Sequence, residues 1–590
     1  MGLPAGLCHD GAKQVSYPYM KIFVTLLAGL LLTGCQTFTP ASHSTEPDTA
    51  ASAAEPPVEY ASFSPDTLFA LLAAELAGQR GRFDIALANY LREAHSTRDA
   101  GVAERAYRIS EYLGATQAAL DSALIWADSD PSNTEAQRAA AIQLARAGRF
   151  EKSLVHMENI LRHKGNPHFD FLALSAAETD PDTRAGLMTS FEQLLRKYPD
   201  NAQLLFGQAL LLQQEGKPEE ALALLDHPAL QKGDVGALLL RARLLQSLER
   251  GDEALPLLRK GIRQHPDDKR LRLAEARLLV DQRKLPEAHK AFSALLEQHP
   301  EDDDLRFSLA LVSMEIEDWQ GARTLLEELL ERDAHRNAAL LHLGRVHEEL
   351  GEPDKALDAY AQVEPGNEYL PALARQSTLL FERQQGSEAA RLLREARARY
   401  PEYAVQLYLI EAEAWARHNQ PQRASRLIDQ ALAEYPGDLN LLYSRAMLAE
   451  KRGDLAQLER DLRFILEQEP DNAMALNALG YTLADRTSRH QEARTLIEQA
   501  YQLSPDDPAV IDSLGWVNYR LGNLAEAERL LRLAMDKTPD AEIAAHLGEV
   551  LWARGKQREA RKVWAEALKA DPDSDILRRT LQRLTGSESL

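Results

Sequence analysis

The chain has 590 residues, with 68 Lys and Arg against 90 Asp and Glu, and a formal charge of −22. That balance excludes a nucleic-acid-binding protein, which needs a basic face, and a basic amphipathic helix held on anionic lipid by charge. It favours a self-repelling, soluble surface and a basic partner, and two cysteines, Cys8 and Cys35, make no disulfide framework.

Residues 1–19 fit no targeting signal, because Asp10 and Pro18 precede the basic Lys21, so translation is expected to start at Met20. Lys21 then leads into the apolar run 22–32, which ends in Thr33-Gly34-Cys35. A short positive region, an apolar segment too short to span as a mature helix and a small-residue cleavage site predict a secretory signal. Leu32-Thr33-Gly34-Cys35 resembles the bacterial lipobox. The resemblance implies that residues 20–34 are a lipoprotein signal peptide and that Cys35 becomes the lipidated first residue of the mature chain. Gln36 stands where this class carries Asp for inner-membrane retention, which implies the outer membrane with the protein facing the periplasm. The rest of segment 35–60 is rich in Ser, Thr, Pro, Glu and Ala and has little that could pack. It reads as a flexible linker with a reach on the order of 25–30 Å.

Residues 64–572 repeat. The signal is degraded over 64–199, as in Gly81 with Ala86 and Tyr90, fair over 235–401, and strong over 439–572. From Pro266 onward prolines mark rungs 33 to 36 residues apart, at Pro300, Pro365, Pro401, Pro436, Pro470, Pro505, Pro539 and Pro572. The long gap before Pro365 is two rungs, with Asp333-Ala334 where a proline would fall. Leu479-Gly480, Leu514-Gly515 and Leu547-Gly548 match one another, as do Ala493, Ala527 and Ala560, then Ala500, Ala534 and Ala567. A fixed period in this range predicts stacked supersecondary units. Each unit reads as two helices. In the last, Ile543, Leu547, Val550 and Leu551 form one apolar stripe, Gly555 breaks the chain, and Ala560, Val563, Trp564, Ala567 and Leu568 form another. The small residues Gly548 and Ala560 fall where two helices must approach closely.

These residues resemble the tetratricopeptide repeat: a Leu-Gly pair, a mid-unit Gly, then Ala, a large residue, Ala and Pro. The resemblance implies an all-α superhelical solenoid of about fifteen helix-turn-helix units. A closing helix near 575–584 lies within a capping segment and tail, 573–590.

No chemistry-bearing motif emerges. His-Glu-x-x-His is absent, and His342 and His347 are five apart, too far round a helix to share a metal, so both are expected to be solvated or satisfied helix histidines. Gly555-Lys556 follows a helix rather than a strand and is no phosphate loop. Asp and Glu residues are expected on exposed faces. The expectation is therefore a protein with no catalytic residue, no metal and no cofactor.

What remains is surface. In repeats of this kind the first helix of each unit lines the inner face. In the last units that face is expected to present Asn477, Tyr481, Asp512, Trp516, Tyr519, Arg520, Glu549 and Trp552 as partner-binding candidates, because aromatic and Arg side chains dominate binding energy. Trp516 and Trp552 can alternatively pack between units, and Trp564 falls at a core place. Asn477, Asp512 and Ala545 share one equivalent place and Tyr481, Trp516 and Glu549 another, which does not match the Lys-plus-Asn clamp for a terminal carboxylate.

Lipobox, linker, repeat number and length together resemble the tetratricopeptide lipoproteins that act as adaptors of a periplasmic carboxyl-terminal processing protease. That resemblance implies binding of the protease and of its protein substrates, cell-wall hydrolases acting on peptidoglycan, so that their proteolysis is promoted. Two alternatives stay open: an assembly scaffold for a secretion, pilus or exopolysaccharide system, and a cell-wall enzyme built on a helical solenoid.

Overall fold

A computed structural model of the protein describes residues 62–230 and 234–587, which contain 31 α-helices and no strand. Segments 1–19 and 20–34, Cys35 and linker 35–60 lie outside the described residues. Thirty helices follow one another as fifteen couples from Pro65–Gln79 with Phe83–Thr97 to Ala541–Ala553 with Gln557–Ala570. Fourteen are packed pairs, whereas Phe169–Ser175 packs on Ala202–Gln214 rather than on Pro181–Lys197, and the closing helix Asp575–Thr585 packs on Ala541–Ala553. The pairs group into two compact units, one ending at His335 and the other beginning at Arg336.

The rungs of the sequence are the turns between pairs, and their mechanism is capping. Two residues after Pro266, Pro300, Pro436, Pro470 and Pro505 stand Asp268, Asp302, Asp438, Asn472 and Asp507. Each is the N-cap of the next helix, its side-chain oxygen accepting a backbone N–H of the first turn. The proline ends one helix and the short polar side chain satisfies the orphan donors of the next. At the rung without proline, Asp333 and His335 take left-handed backbone at φ 53° and 48° to make the same break.

Inside most pairs the turn uses one left-handed residue, although segment 487–489 turns without one. Gly555 supplies the left-handed residue at φ 77°, but Glu249, Arg283, Glu317, Gln384 and Asn419 hold φ of 57–63° at the corresponding place. The packing of the pair imposes the turn even where the residue type disfavours it.

Close helix approach explains the Leu-Gly pair. A Cβ on Gly515 would lie 2.7 Å from Leu531 Cγ, and one on Gly480 would lie 2.6 Å from Ile497 Cγ1 and 3.0 Å from the Ala493 carbonyl. The alanines facing them, Ala493, Ala527 and Ala560, are fully buried, as is Trp564. The core is divided into successive clusters along the chain, among them Ala74 to Ala140 and Ala527 to Leu581. Others run from Ala141 to Val312 and from Leu380 to Ile543.

The expectation that acidic residues occupy exposed faces needs correction. Asp461, Glu528, Asp512 and Glu549 are buried, and each meets a cation: Asp461 pairs with Arg445 at 2.7 Å, and Glu528 with Lys556 at 2.8 Å. A charge leaves water only when it is paired, and a partner about 16 to 34 residues away is invisible to helical periodicity. His347 is a satisfied helix histidine, one of the two alternatives expected: it is buried, with its Nδ1 2.8 Å from Glu352. Burial holds His342 down to about 4.

Candidate functional site: the inner face of the C-terminal pairs

Four successive first helices, Leu439–Arg452, Ala473–Arg486, Pro508–Arg520 and Ala541–Ala553, bring their polar residues together. The centre is His546. Its Nδ1 is 2.9 Å from Asp512 Oδ2 and its Nε2 is 3.4 Å from the Tyr481 hydroxyl. The Trp516 ring stacks on the imidazole, with centroids 4.1 Å apart and planes 21° apart. The Tyr481 hydroxyl donates to Glu542 Oε1 at 2.6 Å. That bond joins residues 61 apart in sequence, two units along the array. Burial opposes charge on His546, but the Asp512 carboxylate beside it and Glu542 beyond outweigh burial and raise the imidazole to about 9. His546 is therefore an imidazolium at neutral pH, held between three repeats. Burial and the neighbouring Glu542 raise Tyr481 well above an ordinary phenol.

A second polar set lies beside it. The Tyr519 hydroxyl donates to Glu549 Oε1 at 3.2 Å, and the closing helix sends Arg583 to the same carboxylate, with Nη1 2.8 Å from Oε1. Arg520 donates to the Asp485 carbonyl at 2.9 Å. Two further carboxylates flank the cluster: burial raises Glu450 above its usual range, and the Glu542 charge raises it further, against the pull of Arg486. Burial raises Glu542 as well.

Of the eight residues expected on this face, Asp512, Trp516 and Glu549 are buried, Trp516 being only 5% exposed. The expectation that the groove presents Trp516 to a partner is corrected: its indole is spent on His546, and on Tyr519 with centroids 5.1 Å apart. Its Nε1, like Asn477 Oδ1, is buried without a hydrogen-bond partner. Asn477, Tyr481, Tyr519, Arg520 and Trp552 stay half-buried and line the face. Trp552 packs toward Trp564, centroids 5.8 Å apart, and carries Arg561 over its ring at 5.4 Å.

Sequence reasoning missed His546, Glu542, Asp485 and Arg583. His546 sits one residue after Ala545, the place equivalent to Asn477 and Asp512, so aligning the repeats steps past it. Its spacing of four from Glu542 was the available signal. Among the described residues no group of three or more His, Cys, Asp or Glu side chains is placed to hold a metal ion. With both nitrogens of His546 engaged, the cluster interlocks repeats and offers a polar inner surface.

Tetratricopeptide repeat family models match residues 443–508 and 487–547, in agreement with the helix pairs of the C-terminal part, and the coatomer epsilon subunit model matches residues 106–364. The chain is 34% identical over 117 residues to bacteriophage adsorption protein A of Escherichia coli, covering 20% of this chain and 12% of that protein. Yeast Tom70 aligns over 89% of this chain and 95% of its own, at 15% identity and a TM-score of 0.34. The TPR repeat-containing protein PA4667 of Pseudomonas aeruginosa is 60% identical over 579 residues, 98% of both chains. With helix pairs along its described length and that identity across it, this chain belongs to the tetratricopeptide repeat-containing protein family.

Proposed function

We propose that the protein is a non-enzymatic scaffold, lipid-anchored to the outer membrane through Cys35 and facing the periplasm. It binds a carboxyl-terminal processing protease together with that protease's substrates, cell-wall hydrolases, and promotes their proteolysis. The observation that carries the reading is the long run of helix pairs, with half-buried aromatic and charged side chains on the inner face of the C-terminal ones. Repeats far apart along such an array do not touch, so one stretch can hold an enzyme while another holds its substrate. The C-terminal inner face around Tyr481, Tyr519, Arg520 and Trp552 is one candidate surface, and the pairs within 64–230 are another.

The test is affinity purification of the protein from envelope extract. A processing protease and at least one peptidoglycan hydrolase should co-elute, and deleting the scaffold should raise the hydrolase level. Recovery of secretion, pilus or exopolysaccharide assembly components in their place would transfer the chain to that reading.

A further inference from the structure

We propose that the outer face of the first helix, Pro65–Gln79, rests on the lipid surface to which the chain is tethered. Its residues are distributed in an unusual way. The fully buried residues are all small, Thr67, Ala70 and Ala74, with Leu71 packed half-buried against the same core. Four large apolar residues point outward: Leu68 is 52% exposed, Phe69 75%, Leu72 56% and Leu76 51%. At the α-helical turn these four fall within an arc of about 100°, a continuous stripe opposite the small residues. Glu75 is drawn off the stripe, bonded to the Tyr90 hydroxyl and 3.4 Å from Arg105. Arg80, exposed at the C-cap, puts a cation at one end.

The size of the patch argues for its occupant. Its exposed area is on the order of 400 Å², the size of the largest, often functional, patch on a monomer surface. A stable interface needs about 800 Å² per partner, so a second copy pressed on this stripe alone would not hold. A lipid surface has no such requirement when the protein is already tethered to it. Cys35 precedes Pro65 by 30 residues, and the linker expected there from the sequence has a reach of roughly 25–30 Å. Tethering at this range raises the local concentration enough to populate a weak contact. The contact is apolar, with Arg80 available to a headgroup phosphate, so the net negative charge of the chain does not oppose it strongly. The inference rests on the acylation of Cys35 proposed above.

The experiment uses the acylated full chain in vesicles of phosphatidylethanolamine and phosphatidylglycerol. Leu76→Cys carries an environment-sensitive fluorophore, and Val155→Cys, 66% exposed elsewhere in the same unit, carries it as a reference. The label at 76 should shift to the blue and be quenched by doxyl lipids several-fold more than the label at 155. Adding Phe69→Glu and Leu72→Glu should abolish the difference, with helical content unchanged. Equal, water-like emission at both positions overturns the contact. So does a blue shift that follows protein concentration without lipid, which would assign the face to a second copy. Mass spectrometry of the same preparation separates the two readings. An unmodified Cys35 removes the tether and both proposals, whereas a modified Cys35 with position 76 in water removes only this one.

Discussion

His546 shows how one buried residue can hold a repeat array together. Its imidazolium faces Asp512 from one unit and Tyr481 from another, under the Trp516 ring. The folded chain holds the proton to about pH 9, whereas an unfolded histidine releases it near 6.5. The folded state thus binds the extra proton between those values, and stability falls as pH rises through them. The C-terminal pairs should lose on the order of 1–3 kcal/mol between pH 6.5 and 9, with the full contribution present below 6.5. His546→Gln should flatten that dependence, as hydrogen exchange of residues 473–570 at a series of pH values would reveal. Trp516→Ala should cost about 3–5 kcal/mol, because it removes a buried ring. A melt of the variant unchanged from the parent would return Trp516 to the exposed groove.

At the scale of the element, the repeat is a close approach of two helices followed by a forced turn. Gly515 has no room for a side chain, since even a Cβ meets Leu531 at 2.7 Å. Gly515→Leu should destabilise by roughly 1–3 kcal/mol, and the loss should stay among the C-terminal pairs, because stacked units share interfaces only with neighbours. Hydrogen exchange showing equal loss of protection from residue 64 onward would contradict that local picture. The turn offers the opposite experiment. Glu317 holds φ 63° on an exposed position, a backbone that costs an L side chain about 1–2 kcal/mol. Part of that is offset by glycine's larger unfolded-state entropy. Glu317→Gly should therefore raise stability by about 0.5–1 kcal/mol, measurable as a higher midpoint in urea. The Leu-Gly pairs and rung prolines were legible because they recur at fixed offsets. The turns at Glu317 and Arg283 were not, since nothing in those residue types announces a left-handed backbone.

For the whole molecule, the anchor and the array are separable. Cys35→Ala should leave the chain uncleaved or mislocalised, while the helix pairs from residue 64 onward keep their circular dichroism. Mass spectrometry of the membrane-extracted parent should find Cys35 acylated, and an unmodified thiol there would end the lipoprotein reading. The sequence by itself determined the all-α repeat, its period and the small-residue contacts, because each depends on residues within one unit of about 34 positions. It also marked the inner-face candidates Tyr481, Tyr519 and Trp552. Only the tertiary structure decided that Trp516 is stacked inside rather than presented, that Asp512 and Glu549 are buried beside His546 and Arg583, and that Tyr481 reaches Glu542. Those contacts cross 30 to 61 residues, and which side chains meet at that range is set by how successive units stack, a geometry that no single repeat encodes.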